Sequence, residues 1–224
     1  MLAICRENVR LLSVCLLMVA TNALAEQQAL NKLQISHFST GSLTGWKTKE
    51  FKGQTQYQIS KLTGSQVLKA DSNAAASGLF HEQRIDLQIT PIMNWRWRIE
   101  NRLGNIDEQA KAGDDFAARV YVVKSGGLVF WNTKAINYVW ASTSPKDKTW
   151  PNPYAGDHAM MIAVRSSADK TGTWISEKRN IRTDFKQLTG EDIQYIDAVA
   201  IMTDTDDTKG KATAYYGDIY FTAE

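Results

Sequence analysis

The sequence predicts an all-β fold, a single jelly-roll-type β-sandwich of about eight to ten strands following a cleaved signal peptide. Three observations lead there. Short runs of period-two alternation rich in β-branched and aromatic residues dominate the chain. Polar or glycine-containing turns separate those runs, and no alternating strand–helix units are present. Only 4 prolines and 14 glycines occur in 224 residues, which leaves no room for a long flexible linker. A closed barrel is the alternative arrangement of the same strands.

Residues 1–25 read as a secretory signal. Arg6 and Arg10 form the positive region, Leu11 to Ala20 the short apolar run, and Ala23-Leu24-Ala25 the small-x-small cleavage site. The run is about half the ~20 residues a spanning helix needs, so no transmembrane anchor is expected in the mature form. Val14 before Cys15 argues against a lipoprotein site. Both cysteines, Cys5 and Cys15, fall in the removed segment. The remaining domain, residues 26–224, then has no thiol nucleophile, disulfide or cysteine metal site and is held by its core alone. At about 200 residues, burial of roughly 70% of the unfolded surface makes that feasible.

Along the mature chain, Gln56–Ile59 and Gln66–Lys69 flank a Thr63-Gly64-Ser65 turn. Met93–Glu100 alternates Trp95, Trp97 and Ile99 against Arg96, Arg98 and Glu100. Further strands are expected at 116–124, 135–141, 158–165, 193–203 and 211–221. Helical pieces are expected at 105–112 and as a turn at 184–190.

Composition excludes several functions. With 26 basic and 24 acidic side chains the formal net charge is +2, which offers no electrostatic reason to expect nucleic acid. Three histidines without HExxH, and no G-x-S-x-G, Walker or dinucleotide motif, leave no catalytic signature.

Three constellations carry chemistry. In the segment Gly113–Val123 a regular strand sends Phe116, Ala118, Val120 and Val122 inward. Asp115, Ala117, Arg119 and Tyr121 then share the other face, where a carboxylate, a guanidinium and a phenol can bind a polar ligand. Asp115 and Arg119 stand roughly 13 Å apart along such a strand, so their partners come from elsewhere, with Tyr121, Asp218 and Glu177 as candidates. A structural Asp–Arg pair is the competing reading. Second, Met202–Gly210 is an acidic loop whose Asp204 and Asp206 are hard-oxygen candidates for Ca²⁺. Its spacing is not that of an EF-hand, and acidic turns are common in any case. Third, Trp95, Trp97 and Trp140 read as core. Trp131 and Trp150 adjoin polar turns, and Trp150-Pro151-Asn152-Pro153-Tyr154 reads as a stiffened loop presenting two aromatics. The candidate ligand-binding set is therefore Asp115, Arg119, Tyr121, Trp131, Trp150, Tyr154 and Asp218.

The chain resembles the bacterial domain-of-unknown-function 3047 family of exported proteins. The likeness rests on Leu43-x-Gly45-Trp46, Phe51-x-Gly53-x-Thr55-x-Tyr57, Leu68-Lys69-Ala70-x-Ser72, Ser77-Gly78-Leu79 and Pro91-x-x-x-Trp95-x-Trp97. It continues in Asp114-Asp115-Phe116-x-x-Arg119-x-Tyr121-Val122, Asn137-Tyr138-x-Trp140, Glu177-x-Arg179-Asn180, Met202–Asp206 and Tyr216-Gly217-Asp218-Ile219. This resemblance brings no activity with it. A more distant likeness to galactose-binding-like jelly rolls implies a sandwich. The resulting expectation is a non-catalytic periplasmic module that binds a cell-envelope glycan or polysaccharide. The alternative is a carboxylate-dependent glycan hydrolase or lyase, with Asp115 or Asp204 as acid or base and Arg119 stabilising charge.

Cleavage after Ala25 predicts Glu26 as the mature N-terminus. Mass spectrometry of the protein from a cell-envelope fraction should show loss of residues 1–25; an intact Met1 species in the membrane would contradict it.

Overall fold

The computed structural model describes residues 32–127 and 132–224. Residues 1–25, where a signal peptide is expected, and Trp131 lie outside the described residues. Fourteen strands and one α-helix are found among those described: β1 (Lys32–Gln34), β2 (Trp46–Lys52), β3 (Gln56–Leu62), β4 (Ser65–Asn73), β5 (Ala76–Asp86), β6 (Ile92–Ile99), β7 (Arg119–Lys124), β8 (Lys134–Trp140), β9 (Thr149–Asn152), β10 (Gly156–Arg165), β11 (Ile175–Asn180), α1 (Ile181–Thr189), β12 (Tyr195–Met202), β13 (Lys211–Tyr216) and β14 (Tyr220–Thr222).

They form two seven-stranded sheets packed as a sandwich. The first runs β1-β14-β6-β13-β4-β3, with β11 on the other edge of β6; the second runs β2-β5-β12-β7-β8-β10-β9. All neighbours are antiparallel except β8 and β10. The all-β sandwich expected from the alternation is the fold. The strand count exceeds the expected eight to ten, because β1, β2, β5, β9 and β11 lie in polar or mixed segments.

Alternation sets the core. In β6, Met93, Trp95, Trp97 and Ile99 are buried while Arg96 faces solvent. Facing them from the second sheet are Ile136, Tyr138 and Trp140 of β8, and Val120 and Val122 of β7. The Trp97 and Trp140 rings meet at 5.9 Å, and Trp95 and Tyr138 at 5.4 Å. Trp97 also donates its indole N–H to Glu177, 3.0 Å away.

Four local expectations change. The helix expected at 105–112 is a single 3-10 turn at Lys111–Gly113. The turn expected at 184–190 is the end of α1, which starts earlier because the Asn180 side chain caps Thr183 N–H at 3.0 Å. The strand expected from Phe116 begins at Arg119. Residues 114–118 are held by mixed contacts: the Phe116 N–H donates to the Asp204 side chain at 3.3 Å, while the Phe116 and Ala118 carbonyls accept the backbone N–H groups of Asp204 (3.2 Å) and Trp140 (2.9 Å). Phe116 therefore packs not in the main core but in a separate cluster with Val139, Trp150 and Met161. Finally, the expected 211–221 strand breaks at Gly217, whose N–H turns to the Arg96 carbonyl at 2.9 Å.

Truncating Trp97 to alanine should cost about 3–5 kcal/mol of stability, because a wholly buried indole leaves a cavity. Denaturant unfolding should show the midpoint fall; a midpoint within error of the parent would contradict this placement.

Candidate functional site

The site lies on the face of the second sheet turned away from the core. Even registers bring its outward side chains into rows. Phe80, Ala200, Tyr121 and Asn137 are successive partners across β5, β12, β7 and β8, and Gly78, Met202, Arg119 and Val139 form the adjacent row. Ala200 is small enough for Phe80 and Tyr121 to meet above it, edge to face at 5.5 Å. Gly78 serves the same end. A Cβ there would come within 3.1 Å of the Phe80 ring and 3.3 Å of the Tyr121 hydroxyl. Phe51, from β2, extends the row to within 6.5 Å of Phe80. The pairing of β2 with β5 shifts register between Glu50 and Lys52, so the consecutive Phe51 and Lys52 both reach this face.

The result is a cleft of about 610 Å³, within the usual range for small-ligand sites. Phe51, Tyr121, Met202 and Tyr154 supply its apolar walls, with Ala135 and Ala159 among its lining. Arg119, Asn137, Asn152, Asp114 and Asp204 supply polar groups.

At one end sits a buried ion-pair network. Arg119 is only 6% exposed; its guanidinium donates to Asp204 Oδ2 at 2.6 Å and to the Asp114 carbonyl at 3.2 Å, and lies 4.7 Å from the Phe116 ring centre. Burial works against its charge, and the nearby Asp204 and Asp114 outweigh that and keep it protonated. Asp204 is buried in turn. Its burial, reinforced by Asp114 and Asp115, raises its carboxyl well above the usual range against the pull of Arg119. Asp114 rises for the same first cause, burial, although Arg119 and the Asn152 amide (2.8 Å) favour its charge. Burial also raises the Tyr121 phenol. Two buried polar atoms of cleft-lining residues, Asp114 Oδ1 and Arg119 Nε, have no hydrogen-bond partner.

The structure sorts the sequence candidates. Arg119, Tyr121 and Tyr154 line this cleft, as does Asp204. Tyr154 is 58% exposed; its hydroxyl donates to Asp207 at 2.8 Å, which pushes its pKa up to about 12. Asp115 is fully buried behind the cleft and accepts the backbone N–H groups of Asp207 (3.3 Å) and Thr208 (2.6 Å). The partner of Arg119 is thus Asp204, and neither Asp218 nor Glu177. Glu177 pairs with Arg165 at 2.6 Å. Asp218 sits on the other sheet and accepts the N–H and hydroxyl of Ser39. Trp150, expected at a ligand surface, is only 3% exposed: its indole N–H donates to the Glu108 carbonyl and its ring packs near Phe116. Sequence reasoning missed Phe51, Phe80, Asn137, Asn152 and Met202. Phe51 and Asn137 stood in quoted motifs, but only cross-strand register reveals that they share a face.

Asp115, Asp204 and Asp206 bring carboxylate oxygens within 4.8 Å of one another. The Ca²⁺ expectation for Asp204 and Asp206 thus gains a third oxygen donor of the right hardness. It also meets two resident cations, Arg119 on Asp204 and Lys52, 3.4 Å from Asp206.

The family model described as "Protein of unknown function (DUF3047)" matches residues 44–220. The chain belongs to that family. No curated protein matches its sequence. This DUF3047 member is similar to several solved sandwiches. One comes from a study of carbohydrate-binding modules of the β-sandwich super family (TM-score 0.44, 14% identity, 82% of this chain); the chain spans 59% of that one's length. Another is the xyloglucanase domain of NopAA, a type three effector from Sinorhizobium fredii (TM-score 0.48, 11% identity, 84% of this chain and 100% of that one). A third is the CBM22-2 xylan-binding domain of Paenibacillus barcinonensis Xyn10C (TM-score 0.41, 11% identity, 88% and 100%). Likeness at this level concerns sandwich architecture alone.

Arg119→Ala should lower stability by about 3–5 kcal/mol, since it leaves Asp204 buried and uncompensated. Asp204 has a raised folded-state pKa, so protonating it relieves the defect. The loss should therefore be smaller near pH 5 than near pH 8. Denaturant unfolding of the variant at both pH values tests this; a loss independent of pH would contradict it.

Proposed function

We propose that this protein is a non-catalytic glycan-binding module of the periplasm, and that the cleft over β5, β12, β7 and β8 holds the saccharide. The observation that carries the reading is the Phe51–Phe80–Tyr121 row. Its outer members Phe51 and Tyr121 line the cleft and offer apolar surface to a sugar ring, with Phe80 packed between them, and Arg119, Asn137 and Asn152 beside them can meet its hydroxyls.

The hydrolase or lyase alternative fares worse. Its chemistry needs two carboxylates flanking the substrate, about 5–10 Å apart. Those of this cleft gather where β12 ends and β7 begins. Each is already engaged: Asp204 by Arg119, Asp206 by Lys52, Asp114 by Asn152 and Asp207 by Tyr154. That is a scaffold of ion pairs and hydrogen bonds.

Phe51 is 54% exposed, so Phe51→Ala tests the cleft without touching the core. On a glycan array and then by calorimetry, the mature protein should bind at least one saccharide. Phe51→Ala should weaken it by about 1–3 kcal/mol, comparable to the loss of one stacked aromatic, with an unchanged melting temperature. Equal affinity in parent and variant would overturn the assignment of the cleft.

A further inference from the structure

The opposite face of the sandwich carries a second concavity, of about 410 Å³, which the proposed function leaves unused. Alternation again builds it. The inward residues of β6, β11 and β14 serve the core, and the outward ones line up. Gln34, Tyr220, Asn94 and Lys178 are successive partners across β1, β14, β6 and β11, while Arg96 stands opposite Ser176 one step along. At about 4.8 Å per strand this row spans roughly 14 Å, the length of a short oligosaccharide segment.

Its electrostatics differ from those of the cleft. Lys32, Arg96 and Lys178 all line it, and among the described residues none of the three makes an ion pair with a carboxylate. Two carboxylates, Glu177 and Asp218, also line it, and each is engaged by other groups. Glu177 is held by Arg165 and by the Trp97 indole, and Asp218 by Ser39. Unpaired cations on a charge-balanced protein call for an account, because like charges gathered on one face repel.

Arg96 is also held in place. A Cβ on Gly217 would lie within 2.5–3.1 Å of the Arg96 side chain, so the glycine is what lets Arg96 lie across the break between β13 and β14. The Trp174 ring, 4.8 Å from the guanidinium carbon, covers it. Tyr220 lines the trough, with Lys32 Nζ over one face of its ring, 4.2 Å from the centre, and the other face left to a ligand. A positioned planar fork suits a carboxylate or phosphate group, and an adjacent aromatic ring suits a sugar face.

We infer that this trough is a second binding site, specific for an anionic saccharide whose carboxylate or phosphate is gripped by Arg96 and Lys178 while Tyr220 supports its ring. The inference does not depend on the cleft reading, because the two sites share no residue. Two sources of the anion, uronate and sugar phosphate, offer the same chemistry.

Calorimetry at low ionic strength tests it with four probes: polygalacturonate, its carboxyl-reduced neutral form, a phosphomannan and a single-stranded oligonucleotide. Polygalacturonate or phosphomannan should bind, identifying the carboxylate or the phosphate source respectively, and binding should weaken as salt rises. The Arg96→Gln/Lys178→Gln pair should reduce that affinity about tenfold or more, and Tyr220→Ala should reduce it at constant melting temperature. Phe51→Ala, on the other face, should leave it unchanged. The inference is overturned if neither acidic glycan binds, if the carboxyl-reduced polymer binds as well as its parent, if the oligonucleotide binds as tightly, or if the Arg96/Lys178 variant binds like the parent.

Discussion

The Arg119–Asp204 ion pair joins the start of β7 to the loop that leaves β12, and most of the candidate site hangs from that junction. Because both partners are buried, neither can be removed without stranding the other in a low-dielectric setting. The pair holds Asp204 where its second oxygen accepts the Phe116 N–H. It also holds the guanidinium over the Phe116 ring and against the Asp114 carbonyl. Asp115, one residue further, ties down the acidic loop through two backbone N–H groups. The irregular stretch 114–118 is thus ordered by side-chain contacts together with two backbone hydrogen bonds. That leaves one wall of the cleft polar and preorganised.

Small residues shape the remainder as much as large ones do. Ala200 and Gly78 open the space that lets Phe80 and Tyr121 meet over the central strands, and Gly217 does the same for Arg96 on the far sheet. In each case a missing side chain on one strand allows a long side chain from a neighbour to lie flat against the backbone. The two outer faces consequently acquire different chemistry from one construction rule. One is aromatic and flanked by neutralised carboxylates; the other is polar and cationic.

Trp150 and Asp218 show how local reading goes astray at a site. Trp150 lies in a proline-stiffened polar segment that looks exposed. Yet β9 folds against β10, and Trp150 joins a buried cluster on the outer side of the second sheet that the core pattern does not reveal. Asp218 follows a strand that alternates as its neighbours do, but β13 and β14 belong to the sheet opposite Arg119. In both cases the residue type was informative and the placement was not.

The sequence alone determined the all-β sandwich and the tryptophan core of β6 and β8. Each depends on period-two alternation or on residue chemistry within a few positions, which a single strand expresses by itself. Tertiary structure decided that Arg119 pairs with Asp204, 85 positions away, and not with Asp218 or Glu177. It also decided that Phe51, Phe80 and Tyr121 fall in one row and Tyr220, Asn94 and Lys178 in another. Those facts depend on strand order and register between sequence-distant segments. Alternation tells each strand which side to bury, but it is blind to which neighbour it will lie beside.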